Sequence, residues 1–263
     1  MTQPRMTLLA IDVGNRETAI GLVVRGELEA EFTAASDVLR TADEWFLVVD
    51  GLVERSGLPD VGHIAVSSTV PSILTALREC FDRHYVDVPV WVVGPGVKTG
   101  VAIHTDNPKE VGTDRIVRAL AAKEIYGGPV VVVALTGTAT VVDAIDEDGR
   151  FLGGAIAPGM EVALEALASG GAQLRSIEPG EPRGVIGKNT VDAINAGTVY
   201  GYAGLVDALV GRILDDLDLD PEHVTVVATG AHGDVVVEHC ETVTTRDRHL
   251  SLRGLTLVAE KNG

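Results

Sequence analysis

Basic side chains are scarce in this chain of 263 residues: 21 Lys and Arg stand against 38 Asp and Glu, a formal charge of −17. A sequence-independent grip on nucleic acid needs clustered cations that release counterions, so nucleic acid is not an expected partner. Phosphates are not excluded, because 21 cations suffice for a local anion pocket inside a negative envelope. Cysteine is scarcer still. Cys80 and Cys240 stand far apart without a partner motif, which implies neither a disulfide framework nor a thiolate metal site. The seven histidines lack metal-ligand spacing, and no GxSxG nucleophile motif is present. No apolar run reaches the ~18 to 20 residues that span a bilayer, and the stretch MTQPRMTLLAIDVG has too short an apolar run for a signal peptide. The expectation is a cytoplasmic protein with no membrane partner.

What is present is a globular composition, 46% hydrophobic and 22% charged with 11 prolines, on a length that accommodates two domains. Leu8 to Val13 and Thr18 to Val24 are β-branched apolar runs flanking Gly14 and Asn15, which predicts a strand, a tight turn and a second strand. A further turn follows at Gly26 and Glu27. TADEWFLVVDGLVER predicts a helix whose Thr41 caps with Glu44, HIAVSS a strand, VPSILTALRECFDRHY a helix opening near Pro71, and VPVWVVGPG a strand. Around residue 128 the plan restarts, with a strand ending in LTGTAT, a second strand, a turn at Glu147 to Gly149 and a third strand. Helices are then expected from about Glu161 to Ala168 and Asn189 to Leu217, before the strand HVTVVATGA and the closing segment LSLRGLTLVAEKN. The repeated plan predicts an α/β fold of two similar domains, residues 1–122 and 123–263, with the turns DVGNRET and LTGTAT opposed across a cleft. Glycine turns of this kind expose backbone N–H groups to phosphates.

Four constellations carry candidate chemistry. Asp12 closes a buried strand, where a carboxylate is costly unless it is paired, hydrogen-bonded or holding a cation; magnesium on a nucleotide and an Asp that merely bonds its own turn both fit. Asn15 likewise either contacts a ligand or supports the turn. In GPGVKTG…DNPKEVGTDRI a polar, glycine-rich loop leads to Asp114 and Arg115 at a helix start. An Arg there can fork onto a carboxylate ligand and the Asp can accept a hydroxyl proton, although a first-turn Asp also simply complements the helix dipole. In LTGTATVVDAI, Gly137, Thr138 and Thr140 can wrap phosphate oxygens, and VATGAHG is a glycine turn of the type that abuts an adenine ring.

Taken in order, LLAIDVGN, GPGVKTG, DNPKEVGTDRI, GRFLGGAIAPG, VIGKNTVDAINAG and LRGL resemble a type III pantothenate kinase of the acetate and sugar kinase, Hsp70 and actin superfamily, nearly end to end. The resemblance implies two ribonuclease H-like (actin-like ATPase) domains, a homodimer with its active site completed at the interface, and ATP-dependent phosphorylation of a primary hydroxyl: pantothenate to 4′-phosphopantothenate, in coenzyme A biosynthesis. By matching position, Asp12 holds Mg2+ that accompanies ATP, Asp114 is the base on the substrate hydroxyl, Arg115 binds the substrate carboxylate and Gly112 lets that turn approach. Thr190 matches a substrate-binding residue contributed by the neighbouring subunit. Gly14, Asn15 and Arg16 form the first phosphate turn, Gly137, Thr138 and Thr140 the second, and Gly230 belongs to the adenine segment.

The departures gather at the pocket. Arg16 replaces the Thr of the usual first motif, Leu135 the Asp that opens the second, and Thr105 the Tyr that lines the substrate pocket. Val141 stands where a Thr is common, and Ala231 where a second glycine is usual. The loss of the acid at 135 puts the family's monovalent cation site (K+ or NH4+) in doubt, while Arg16 supplies positive charge from a side chain. Two alternatives stand beside pantothenate phosphorylation: a kinase of the same fold acting on a nucleoside or other hydroxylated metabolite, and a catalytically silent nucleotide-binding dimer.

Overall fold

The structure is a computed structural model that describes residues 6–170, 177, 180–230 and 233–263; Ala231, at the adenine segment, lies outside the described residues. The chain runs β1 (Thr7–Val13), β2 (Glu17–Val24), β3 (Glu27–Ala35), α1 (Ala42–Ser56), β4 (Val61–Ser68), α2 (Pro71–His84), β5 (Val90–Val92) and α3 (Thr113–Tyr126). It continues through β6 (Val130–Leu135), β7 (Ala139–Ile145), β8 (Phe151–Pro158), α4 (Met160–Gly170), α5 (Thr190–Asp216), β9 (Thr225–Thr229), α6 (Asp234–Val237), β10 (Thr245–Arg246) and α7 (Leu250–Asn262).

Two compact units result, one of Met1–Val101, Lys109–Ala121 and Leu250–Gly263, the other of Ala102–Pro108 and Ala122–His249. Each holds a five-stranded sheet, ordered β3-β2-β1-β4-β5 and β8-β7-β6-β9-β10. In both, the first three strands form an antiparallel meander and the last two join in parallel, so the repeated plan legible in the sequence is a repeated topology.

In the first unit the alternation of side chains along β1 decides which residue meets which helix. Leu9, Ile11 and Val13 pack with Trp45 and Val49 of α1 and Ile73 and Leu77 of α2. Ala10 points to the opposite face, where Val117 and Leu120 of α3 and Leu252, Leu255 and Val258 of α7 form a second core. Both faces are covered, which is why β1 reads as a nearly continuous apolar run. Asp12, two residues from Ala10, falls on the α3 and α7 face.

The α1 start follows its capping box: Glu44 N–H donates to Thr41 Oγ1 at 3.3 Å and Thr41 N–H to Glu44 Oε2 at 2.8 Å. β3 was not expected beyond its turn. In its sequence ELEAEFTAA, Ala30, Phe32 and Ala34 pack into the α1 and α2 core, whereas a register shift opposite Leu22 and Val23 turns Leu28 to the α3 and α7 core; acids, Thr33 and Ala35 fill the exposed positions of this edge strand. The short α6 and β10 were likewise not expected. Cys80 and Cys240 are free thiols that burial pushes up to about 12. No helix among the described residues is long and apolar enough to cross a membrane.

Candidate active site

Asp12 sits at the end of β1, and the turn after it is closed tightly. Gly14 N–H donates to Glu17 O at 3.0 Å, and a Cβ on Gly14 would stand 2.9 Å from that same oxygen. The neighbouring backbone is tied down from both sides: Ser36 N–H donates to Arg16 O at 2.8 Å and Thr69 N–H to Val13 O at 3.1 Å. Asn15 and Arg16 are exposed on the turn.

The carboxylate of Asp12 is in an unusual state. Its Oδ1 is buried and has no hydrogen-bond partner among the described residues. Burial pushes its carboxyl above the ordinary range. The Arg118 guanidinium opposes that rise, the Asp114 charge adds to it, and the hydroxyls of Ser251 and Ser67 offset part of it. A buried oxygen with an open lone pair, beside a second carboxylate, is a place that a cation fits.

Gly112 starts α3 by accepting from Arg115 N–H at 3.1 Å and Ile116 N–H at 3.2 Å. Thr113 pins that first turn to the end of β4, donating through Oγ1 to Ser68 O at 3.1 Å and sharing a 3.2 Å hydroxyl contact with Ser67. Asp114 is therefore delivered to the Asp12 neighbourhood by the helix start. One turn later Arg118, only 5% exposed, pairs through Nη2 with Asp114 Oδ2. The helix approaches closely because Gly254 of α7 leaves room: a Cβ there would lie 2.2 Å from Val117 O. Arg115 is half-buried on the same helix.

In the second unit the turn after β6 is built on hydroxyl and backbone bonds. Thr136 Oγ1 donates to Ala139 O at 2.8 Å and accepts from Ala139 N–H at 3.1 Å, while Gly159 N–H donates to Thr138 O at 2.8 Å and so ties the start of α4 to the turn. A Cβ on Gly137 would stand 2.4 Å from Glu161 Oε2, so a glutamate of α4 lies against this glycine. Leu135 and Thr140 are register partners across β6 and β7, and the Thr140 hydroxyl is buried without a partner among the described residues. Gly230 has φ +101°, and a Cβ on it would stand 2.2 Å from Leu135 O. Gly137, Thr138, Thr140 and Gly230 are thus one local constellation. Leu135 itself is 1% exposed in the apolar core of this unit.

Thr105 lies beside the β-bridge between Ile103 and Phe151, its methyl 3.5 Å from where a Cβ of Gly153 would be, and its hydroxyl is buried without a described partner. Thr190 is exposed at the start of α5, which Asn189 caps by accepting from Asp192 N–H at 2.9 Å. With Lys188 and Asn189 it lines a groove of about 730 Å3 between α4 and α5.

Asp12, Gly112, Asp114 and the half-buried Arg115 are brought to one region of the first unit. Ser67, Ser251, Arg118 and Glu161 escaped the reading of motifs. Arg118 left a signal, the i, i+4 spacing of Asp and Arg in DRIVR. Among the described residues there is no group of three or more His, Cys, Asp or Glu side chains that could hold a metal. A single carboxylate with water and phosphate oxygens is how magnesium is commonly held, so the donor set fits that ion and no dedicated cage.

Solved structures share this architecture. The activator of 2-hydroxyisocaproyl-CoA dehydratase from Clostridium difficile with bound ADPNP matches with TM-score 0.57 over 98% of this chain and 96% of that one, at 12% identity. The inorganic polyphosphate/ATP-glucomannokinase from Arthrobacter sp. strain KM matches with TM-score 0.52 over 97% and 99%, at 15% identity. The chain therefore has the actin-like ATPase fold, an α/β architecture of two ribonuclease H-like units. A family model described as type III pantothenate kinase matches residues 8–212. The type III pantothenate kinase of Thermobifida fusca (strain YX) is 50% identical over 97% of this chain and 99% of its own length, and that of Streptomyces griseus is 48% identical over 97% and 98%. The chain belongs to the type III pantothenate kinase family.

Proposed function

We propose that this chain transfers the γ-phosphoryl group of ATP to the primary hydroxyl of pantothenate, giving 4′-phosphopantothenate for coenzyme A biosynthesis, in the cytoplasm. The observation that carries this reading is one cluster holding both a buried, unpartnered carboxylate oxygen on Asp12 and the arginine-held carboxylate of Asp114.

Asp12 is the group that holds the magnesium accompanying ATP. When bound, that ion neutralises charge on the phosphate oxygens during transfer. Asp114 accepts the proton of the substrate hydroxyl, oriented by Arg118 and by the absence of a side chain at Gly112. Arg115 pairs with the substrate carboxylate. The turns at Gly14 to Arg16 and Gly137 to Thr140 present backbone donors, a guanidinium and hydroxyls to the phosphates, with Gly230 beside the adenine.

Thr105 and Thr190 contribute to the pantothenate pocket, Thr190 from a second copy. A homodimer is supported by exposed apolar side chains in the second unit: Leu167 lines the α4 and α5 groove, and Ile156, Val185, Ile186 and Val191 are exposed elsewhere in the same unit, Ile186 at 85%. The buried Leu135 supports turnover without potassium or ammonium, since the second phosphate turn has no acid at that position.

Thermal shift with ATP and magnesium, comparing pantothenate with a nucleoside panel, tests the acceptor, because stabilisation follows occupancy of the folded state. Added stabilisation by pantothenate alone is expected. Stabilisation by a nucleoside in its place would move the reading to the other acceptor class.

A further inference from the structure

The least expected group in the cluster is Arg118. Asp114 and Asp12 bring two carboxylates into one partly desolvated region, and like charges there raise each other's cost. A guanidinium that is 5% exposed stands with them. One of its Nη atoms is committed to Asp114 Oδ2. Its Nε is buried and has no hydrogen-bond partner among the described residues, and Asp12 Oδ1 is in the same condition.

A permanently charged group with an unspent donor, close enough to act on the charge of a carboxylate with an unspent acceptor, acts on anything cationic that comes to that carboxylate. It also fixes Asp114 more rigidly than a lysine does, because the guanidinium is planar and its donors are set in a fork.

We propose that Arg118 is a positioning residue with two linked effects: it fixes the Asp114 carboxylate in its working orientation, and its charge lowers the affinity of Asp12 for a divalent cation. The proposal rests on the assignment of Asp12 as the metal-holding carboxylate. A single guanidinium then trades tight metal binding for an oriented base.

The two effects respond to substitution in opposite directions, which separates them from simple damage. In Arg118→Gln the local positive charge disappears while a shorter, neutral and polar side chain remains. Removing one unit charge from a partly buried pair strengthens cation binding by roughly five- to tenfold, and misplacing a base lowers kcat by about a hundredfold. A residue that only supports the fold weakens both when replaced.

The test measures Mn2+ binding to the full chain, without nucleotide, by electron paramagnetic resonance titration, and separately measures kcat and KM for ATP. Arg118→Gln is expected to bind Mn2+ roughly five- to tenfold more tightly while kcat falls and KM for ATP changes little. Arg118→Lys, which keeps the charge and loses the fork, is expected to bind Mn2+ as the natural protein does and still to show a lowered kcat. Unchanged or weaker Mn2+ binding in Arg118→Gln overturns the proposal. Should Arg118→Gln not fold, Arg118→Lys decides: Mn2+ affinity altered more than threefold, or an unchanged kcat, overturns it. Failure of the natural protein to phosphorylate pantothenate would count against the acceptor assignment and leave the Mn2+ comparison standing.

Discussion

Gly112 and Asp114 are so close that a Cβ on the glycine would stand 2.6 Å from the aspartate's Oδ1. Asp114 can fold back over the helix start only because nothing projects from position 112. Gly112→Ala is expected to displace the carboxylate by about an ångström and lower kcat about a hundredfold, with stability nearly unchanged, since the displaced group is the end of a side chain. Steady-state kinetics beside a urea denaturation curve check both halves of this outcome.

The second glycine with a clear steric duty is Gly254, against Val117 O. Here the obstacle is backbone, and α3 cannot yield without carrying Asp114 and Arg118 away. Gly254→Ala is expected to cost about 1–3 kcal/mol of stability, read from the denaturation midpoint, and to lower activity as well. This gives the LRGL segment a physical role: it sets the distance between two helices that share a core.

In its proposed role, Asp12 sets stability against function. Its folded carboxyl titrates above the unfolded value because burial dominates. Between those two values the native state holds a proton that the unfolded chain has lost, so stability falls as pH rises through that window. Asp12→Asn is expected to raise the melting temperature of the ligand-free protein near pH 7 and to flatten that pH dependence, while phosphotransfer falls at least a hundredfold. Magnesium and ATP should stabilise the natural protein and leave the variant nearly unaffected. Differential scanning calorimetry across pH, with and without the nucleotide, measures each part.

At the turn after β6, Leu135 fills the core and Gly230 packs on its carbonyl. Turnover is expected to be the same in sodium or tris buffer as in potassium or ammonium, with less than a twofold change in kcat/KM. Leu135→Ala is expected to act as a core truncation, costing about 2–4 kcal/mol of stability. A coupled assay in salt-exchanged buffers checks the first point and chemical denaturation the second.

Much of this architecture was legible because it rests on local rules. The capping box at Thr41, Pro71 at a helix start and the Gly14 turn each announce an element, and the restart near residue 128 announces the repeated sheet. β3 was harder to read, because its alternation carries small and acidic residues that give little apolar signal. Asp12 and Asp114 were legible as motif residues. What α7 packs against was not, since contact between Gly254 and Val117 links positions far apart in the chain. Glu161 and Ser251 enter the sites through the same kind of tertiary approach, which no spacing in the sequence encodes.

The central claim is that Asp114 takes the proton when ATP phosphorylates pantothenate. Product formation followed by mass spectrometry, with ATP, magnesium and pantothenate, compares the natural protein with Asp114→Asn most directly. The account predicts steady formation of 4′-phosphopantothenate and a loss of about 10² to 10⁴ in kcat for the variant, with ATP still bound. No phosphorylated pantothenate from the natural protein, or undiminished turnover by Asp114→Asn, would contradict it.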